Sequence, residues 1–164
     1  MARFTTHAII EAPCERVFDY RLNVMTLPEY NLGVVGLRRV SGDPGAEGSV
    51  YEFKVGLMGP VRVQVRLKVG KVDRPKRIEF LMESVYPARE VCTFAPGAGR
   101  PGATQVEFEA TVDTPEGPVG RLMDALFAAP NLRRQVGAEL VLMKERIERG
   151  SSVSPQAARA SPSP

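Results

Sequence analysis

Between Val61 and Val69 the chain reads Val-Arg-Val-Gln-Val-Arg-Leu-Lys-Val, apolar at every odd position and polar at every even one. Successive side chains of an extended strand point to opposite faces, so this run has one dry face and one wet face as a strand and none as a helix. The same period recurs on both sides of it. Tyr51, Phe53, Val55 and Leu57 oppose Glu52 and Lys54; Ile78, Phe80 and Met82 oppose Glu79 and Glu83; Val106, Phe108, Ala110 and Val112 oppose Glu107 and Glu109. Turn-forming clusters separate the runs, among them Ser41-Gly42-Asp43-Pro44-Gly45, Met58-Gly59-Pro60, Asp73-Arg74-Pro75-Lys76, Tyr86-Pro87 and 96–102. These connections are too short for crossover helices, so the strands are antiparallel neighbours and a doubly wound α/β fold is excluded. Basic and acidic wet faces alternate along the chain, which predicts cross-strand ion pairs for Arg62, Arg66 and Lys68 rather than a nucleic-acid surface.

Helical spacing is confined to two places. After a first strand over 4–12, Pro13 suits a first helical turn, and Val17, Phe18, Leu22 and Met25 follow at helical intervals; a second short helix or turn is expected at Leu27-Pro28-Glu29-Tyr30-Asn31. Near the end, Val119, Leu122, Met123, Leu126 and Phe127, then Leu132, Val136, Leu140, Met143 and Ile147, recur at three and four residues, with a break expected at Ala129-Pro130-Asn131. From Leu132 to Arg149 such a helix spans about 27 Å, enough to cross a sheet. Residues 150–164 carry one charge and no aromatic, and read as a disordered tail. The expected architecture is α+β: one domain over 1–149, with a strand, two short helices, about six more antiparallel strands, and a long closing helix round which the sheet curves.

Composition narrows the chemistry. One His and two Cys among 164 residues supply neither a multi-histidine metal site nor a zinc tetrad, so no metal and no cofactor is expected, and Cys14 and Cys92 are read as reduced thiols. A formal charge of +3 is too small and too dispersed for a nucleic-acid partner. No run approaches the roughly 18 apolar residues of a membrane span, and Glu11 interrupts the opening segment too early for a signal peptide, so stable membrane insertion is not expected and the location is read as cytoplasmic. Oligomeric state stays open.

Four segments resemble the polyketide cyclase/dehydrase and lipid-transport family of the START/Bet v 1-like (SRPBCC) superfamily: Ile10-Glu11-Ala12-Pro13-Cys14-Glu15-Arg16-Val17-Phe18-Asp19-Tyr20, Leu27-Pro28-Glu29-Tyr30-Asn31, Gly48-Ser49-Val50-Tyr51, and a long helix closing in Leu142-Met143-Lys144. Tyr30 stands where many relatives have Trp, and Leu-Met-Lys where many have Leu-Lys. The resemblance covers about 4–149 and implies a helix-grip fold, a curved antiparallel sheet of about seven strands gripping the C-terminal helix. It specifies scaffold rather than chemistry.

The resemblance implies a ligand cavity between the concave sheet face and the long helix. Strand parity then assigns Tyr51, Phe53, Val55, Val63, Val65, Leu67, Phe80, Met82, Val106 and Phe108 inward, with Leu126, Phe127, Val136 and Leu140 facing them from the helix. Each of these also serves plain core packing. Gly137 in mid-helix either lets the helix approach the sheet or leaves room for ligand. Few polar groups can orient a ligand: Tyr30, Asn31, Tyr51, Tyr86, and Arg39, Glu90 or Arg134. Tyr51 has the best claim by parity, while Glu90 faces inward only if Cys92 and Phe94 do. His7 reads as a surface or structural histidine, with no evident carboxylate to orient it and its strand parity open between His7/Ile9 and Ala8/Ile10; Cys14 stands in a first helical turn, where the dipole can lower a thiol pKa, and a pairing of the two is the remote alternative. No catalytic residue is identified. The expected function is binding or transport of a small hydrophobic ligand, lipid, aromatic or polyketide-like, with a cyclase or dehydratase using the same cavity as the alternative and a partner-binding role with a collapsed cavity as a third.

Overall fold

A computed structural model describes residues 2–58, 61–113, 117 and 129–151. Strand β1 (Ala2–Ile10) leads into helix α1 (Cys14–Leu22), a 3-10 turn (Val24–Thr26) and the one-turn helix α2 (Leu27–Tyr30). Six strands follow: β2 (Val34–Ser41), β3 (Val50–Met58), β4 (Val61–Asp73), β5 (Arg77–Glu83), β6 (Ala88–Pro96) and β7 (Thr104–Val112), and then helix α3 (Ala129–Ser151). All seven strands form one antiparallel sheet in the order β1-β7-β6-β5-β4-β3-β2. Consecutive strands pair as the short connections require, and β1 closes on β7 at the opposite edge from β2.

Local chemistry sets the element ends. Pro13 sits just before α1 with extended backbone rather than inside its first turn, and its carbonyl accepts from the Arg16 and Val17 amides, both at 3.1 Å. The helix stops at Leu22, earlier than the spacing suggests, so Met25 leaves the apolar stripe and is 50% exposed. In β2 the pairing slips between Val35 and Arg38, where Gly36 takes φ +66°, a left-handed conformation that glycine adopts without strain. Pro130 falls at the start of the described part of α3; the apolar positions expected before it, Val119 to Phe127, lie outside the described residues. The helix runs to Ser151, just past the expected boundary of the tail.

The dry faces of the strands meet α1 and α3. Phe4, Ile10, Tyr51, Phe53, Val65, Leu67, Val69, Ile78, Phe80, Cys92, Phe94, Val106 and Phe108 are buried with Val17, Phe18 and Leu22 of α1 and Leu140, Met143 and Ile147 of α3. Burying a side chain of this size stabilises by about 1.5–3 kcal/mol relative to leaving it exposed. The second half of α3 is tied down by polar contacts as well. Lys144 Nζ donates to the Ile9 carbonyl at 2.8 Å, Glu148 accepts the Glu11 amide at 2.8 Å, and Arg16 donates to the Ile147 carbonyl at 3.1 Å.

The wet face carries cross-strand ion pairs: Arg3–Glu109 at 2.7 Å, Arg38–Glu52 at 2.7 Å and Arg89–Glu79 at 2.5 Å. Of the three basic residues expected to pair across strands, register puts Arg66 opposite both Glu52 and Glu83, whereas Arg62 stands opposite Gly56 and Lys68 between Val50 and Leu81. Strands β2, β3 and β4 also border an open depression of about 490 Å³ lined by Val35, Gly36, Arg38, Glu52, Phe53, Lys54, Arg62 and Gln64, where the β2 slip parts the strands.

Candidate functional site

Arg21 lies on the buried stripe of α1, three residues after Phe18 and four after Val17, and is only 3% exposed. Its guanidinium carbon stands 4.4 Å above the Phe80 ring, 5.4 Å from that of Phe108 and 5.8 Å from that of Tyr30. Nη1 donates to Tyr30 Oη at 3.0 Å, Nη2 donates to Glu90 Oε1 in a close ion pair, and the Cys92 thiol donates to the same oxygen at 3.1 Å. Among the described residues Nε has no hydrogen-bond partner. Several elements thus place a charge pair inside the molecule: α1 through Arg21, α2 through Tyr30, β6 through Glu90 and Cys92, and β5 and β7 through the aromatic walls.

Removing ions from water is expensive, and the pair persists because each charge neutralises the other. Burial opposes the Arg21 charge, but Glu90 and the tyrosine beside it hold the guanidinium protonated well above its ordinary range. Burial raises the pKa of the Tyr30 hydroxyl, with Arg21 pulling the other way. Burial raises the Cys92 thiol too, and Glu90 adds to it, so this sulfur stays protonated.

A second carboxyl reaches the cluster from the helix. Glu139 accepts from Asn31 Nδ2 at 3.0 Å, joining α3 to the residue that ends α2. Burial and then the Glu90 charge push its pKa from 4.5 up to about 7, against the opposing pull of Arg21 and of a hydrogen bond from Gln135. One side of the site therefore carries the Arg21–Glu90 ion pair, and the other a carboxyl whose pKa burial raises to about 7.

Of the residues expected to line a cavity, Tyr30, Phe80 and Phe108 come together around Arg21. Phe53, Val65 and Leu140 are buried, Val63, Met82 and Val136 are half-buried, and Phe127 lies outside the described residues. Tyr51 is 1% exposed, but its hydroxyl accepts the Gly45 amide at 3.1 Å and so ties down the β2–β3 loop, apart from the Arg21 cluster. Among the described residues a Cβ placed on Gly137 meets nothing within 4 Å, so close approach of the helix to them does not demand this glycine; it sits about 200° round the helix from Glu139. The open question in β6 resolves through Cys92 and Phe94, both buried, which carry Glu90 inward with them. Asn31 joins through Glu139. Arg39 donates to the Gly42 carbonyl in an exposed loop, Arg134 is exposed, and Tyr86 belongs to the β5–β6 hairpin. His7 is exposed, opposite Glu107. Among the described residues no three His, Cys, Asp or Glu side chains converge as metal ligands, and no helix is long and apolar enough to cross a membrane.

Two members of the cluster, Arg21 and Glu139, escape a reading of the sequence for donors on strands. Each left a signal: a charge on the apolar stripe of α1, and a carboxylate three residues after Val136 and four before Met143 on the flank of the α3 stripe.

Similar architectures occur among solved structures of low sequence identity. TTHA0849 from Thermus thermophilus is 18% identical, with 92% of this chain and 100% of that one covered at a TM-score of 0.76. The Zhui aromatase/cyclase from Streptomyces sp. R1128 is 13% identical, with 93% and 96% covered at 0.74, and a START superfamily protein from Mycobacterium smegmatis is 13% identical, with 90% and 97% covered at 0.70. No curated protein matches the chain in sequence. The model of one family, described as polyketide cyclase/dehydrase and lipid transport, matches residues 1–148. With nearly the whole domain matched, and with a seven-stranded sheet and C-terminal helix shared with START-type structures, the chain belongs to the polyketide cyclase/dehydrase and lipid-transport family and has its START-like ligand-binding fold.

Proposed function

We propose that the protein binds a small, largely hydrophobic molecule between the concave sheet face and α3, with the Arg21–Tyr30–Glu90 cluster meeting the polar end of that molecule. The observation that carries this reading is the buried guanidinium of Arg21. A scaffold gains little from an internal ion pair, since apolar side chains of similar volume often stabilise as well or better. A cavity with apolar walls and a few placed polar groups is how small molecules are generally held. Phe80, Phe108 and Val136 supply apolar walls, and the driving force is burial of ligand surface at about 25 cal/mol per Å² before the costs of association. The test is native mass spectrometry of the protein purified from its own host, compared with its denatured mass. A discrete excess mass released on denaturation supports the reading, and a folded sample with no excess counts against a carrier.

A cyclase or dehydratase activity in the same place is the second reading, favoured by one geometric fact. Arg21 donates to the Tyr30 oxygen, which makes the Tyr30 O–H a stronger donor toward a substrate carbonyl. Tyr30→Phe that loses turnover of a poly-β-keto substrate while still binding it supports this activity; turnover equal to wild type removes it.

A further inference from the structure

Strand pairing leaves one part of the wet sheet face with its charges unbalanced. Arg38, Glu52, Lys54, Arg62 and Gln64 stand on that face and border the open depression of about 490 Å³ where β2 slips against β3. Glu52 accepts from Arg38 at 2.7 Å, which accounts for the carboxylate in the lining. Lys54 and Arg62 have no ion-pair partner among the described residues. Register explains why: Lys54 lies between Val35 and Gln64, and Arg62 lies opposite Gly56. The two cations are diagonal neighbours across β3 and β4, about 7–8 Å apart, where like charges repel. A sheet serving stability alone would gain from an acid at the position of Gln64.

We propose that this hollow is a second binding site, outside the interior, that takes a phosphomonoester: Lys54 and Arg62 hold the phosphate, and Arg38, anchored by Glu52, stands at the rim.

Charge selects the ligand class. Three basic side chains, Arg38, Lys54 and Arg62, against one carboxylate, Glu52, leave the lining with two net positive charges. A phosphomonoester carries about −1.5 to −2 near neutral pH and neutralises them, whereas a carboxylate or a phosphodiester brings a single charge. The guanidinium fork of Arg62 matches two phosphate oxygens, and the Lys54 ammonium acts as a point charge beside it. The space beside Arg62 and along the β2 slip is open, since among the described residues a Cβ on Gly56 or Gly36 meets nothing within 4 Å. The volume lies within the roughly 300–1,000 Å³ of small-molecule sites, so the hollow admits an organic group attached to the phosphate, with Val35 and Phe53 as apolar members of the lining. Lys54 and Arg62 are exposed, so the attraction works through water and weakens as salt is added. The phosphate arrives either on a soluble molecule or on a lipid headgroup, and two arms of one experiment separate these sources.

The first arm titrates the full chain at low salt with phenyl phosphate, followed by calorimetry and by amide NMR shifts. Saturable binding is expected, with shifts concentrated at 35–38, 52–54 and 62–64. Lys54→Gln and Arg62→Gln are each expected to weaken it about tenfold, and Glu52→Gln to tighten it by removing the opposing charge. Lys71→Gln/Lys76→Gln, which removes two exposed charges outside the hollow, is expected to change nothing. Methyl phenyl phosphate, a singly charged diester, is expected to bind about tenfold more weakly than phenyl phosphate. The second arm compares sedimentation with vesicles of equimolar phosphatidylcholine and phosphatidic acid, a phosphomonoester, against vesicles with phosphatidylglycerol, a diester, in place of the acid. Binding of phenyl phosphate assigns a soluble ligand, and preference for phosphatidic acid without it assigns a headgroup. Neither kind of binding, shifts lying elsewhere, equal loss in the Lys71/Lys76 variant, or no preference for monoester over diester overturns the site. The wild-type shifts decide this without any variant having to fold.

Discussion

Arg21 and Glu90, 69 residues apart in sequence, form an ion pair whose side chains are 4% and 16% exposed. Such a pair resists the loss of either member more than the loss of both. Removing one partner leaves an unneutralised charge inside the protein, at a cost of about 3–5 kcal/mol, whereas replacing both with apolar groups of similar volume is often neutral or better.

Arg21→Met alone is therefore expected to lower stability by about 3 kcal/mol or more, and Arg21→Met/Glu90→Leu to recover most of that loss. Urea unfolding of the wild type, both single variants and the double variant measures the coupling. If the pair serves the ligand rather than the scaffold, the double variant stays folded and yields no ligand-associated excess mass.

Tyr30→Phe and Tyr51→Phe separate two tyrosines that both face the interior. Tyr51→Phe leaves the Gly45 amide without its acceptor and is expected to cost about 1–3 kcal/mol with ligand occupancy unchanged. Tyr30→Phe leaves the buried Arg21 Nη1 without its acceptor, so it is expected to cost at least as much stability and, unlike Tyr51→Phe, to lower ligand occupancy as well. Thermal unfolding together with native mass spectrometry compares them, and occupancy lost in Tyr51→Phe but not in Tyr30→Phe would place the ligand beside the β2–β3 loop.

Gly137→Ala is expected to stabilise by up to about 1 kcal/mol, because the position is interior to a helix and the added methyl meets nothing within 4 Å among the described residues. A shift in the midpoint of chemical denaturation measures it. Gly137→Leu then probes the space itself: reduced ligand uptake in a folded variant places ligand there, and unchanged uptake removes Gly137 from the binding surface.

Stability is expected to depend on pH through two carboxyls of opposite sense. Although burial raises Glu79, its hydrogen bonds from Arg89 and the Lys71 amide lower it below 4.5, so its contribution is present above 4.5 and is lost as pH falls through the lowered value. Glu139 is raised, so its contribution is complete below 4.5 and is lost as pH rises through about 7. Urea unfolding from pH 3 to 9 is expected to show Glu79→Gln weakening the protein more at neutral pH than at pH 3. Glu139→Gln is expected to flatten the decline between pH 5 and 7.

The strands were legible because a two-residue period leaves little freedom: once Val61 to Val69 is a strand, the short connections place its neighbours, and a slip of one residue would turn Phe53 or Phe80 into water. Met25 was less legible, since the point where a short helix stops depends on backbone geometry at Asn23 more than on apolar spacing. The site was legible only in part. Tyr30 lies at the turn where the sequence offered it, and Glu90 takes one of the two faces that parity left open, but a buried Arg21 looks like an ordinary solvated charge until Glu90 and three rings from distant elements are brought around it. Tyr51 shows the opposite limit: parity correctly sends it inward and says nothing of the Gly45 amide that occupies its hydroxyl.

The two free cysteines, half-buried Cys14 at the start of α1 and Cys92 with no exposed surface under α1, give the molecule a built-in clock. A thiol reagent can reach Cys92 only when the sheet and α1 part, and must also wait for a thiolate that burial and Glu90 disfavour. The ratio of the two labelling rates in a single tube then reports how often the interior is breached, with Cys14 correcting for reagent and pH, and it needs no engineered probe.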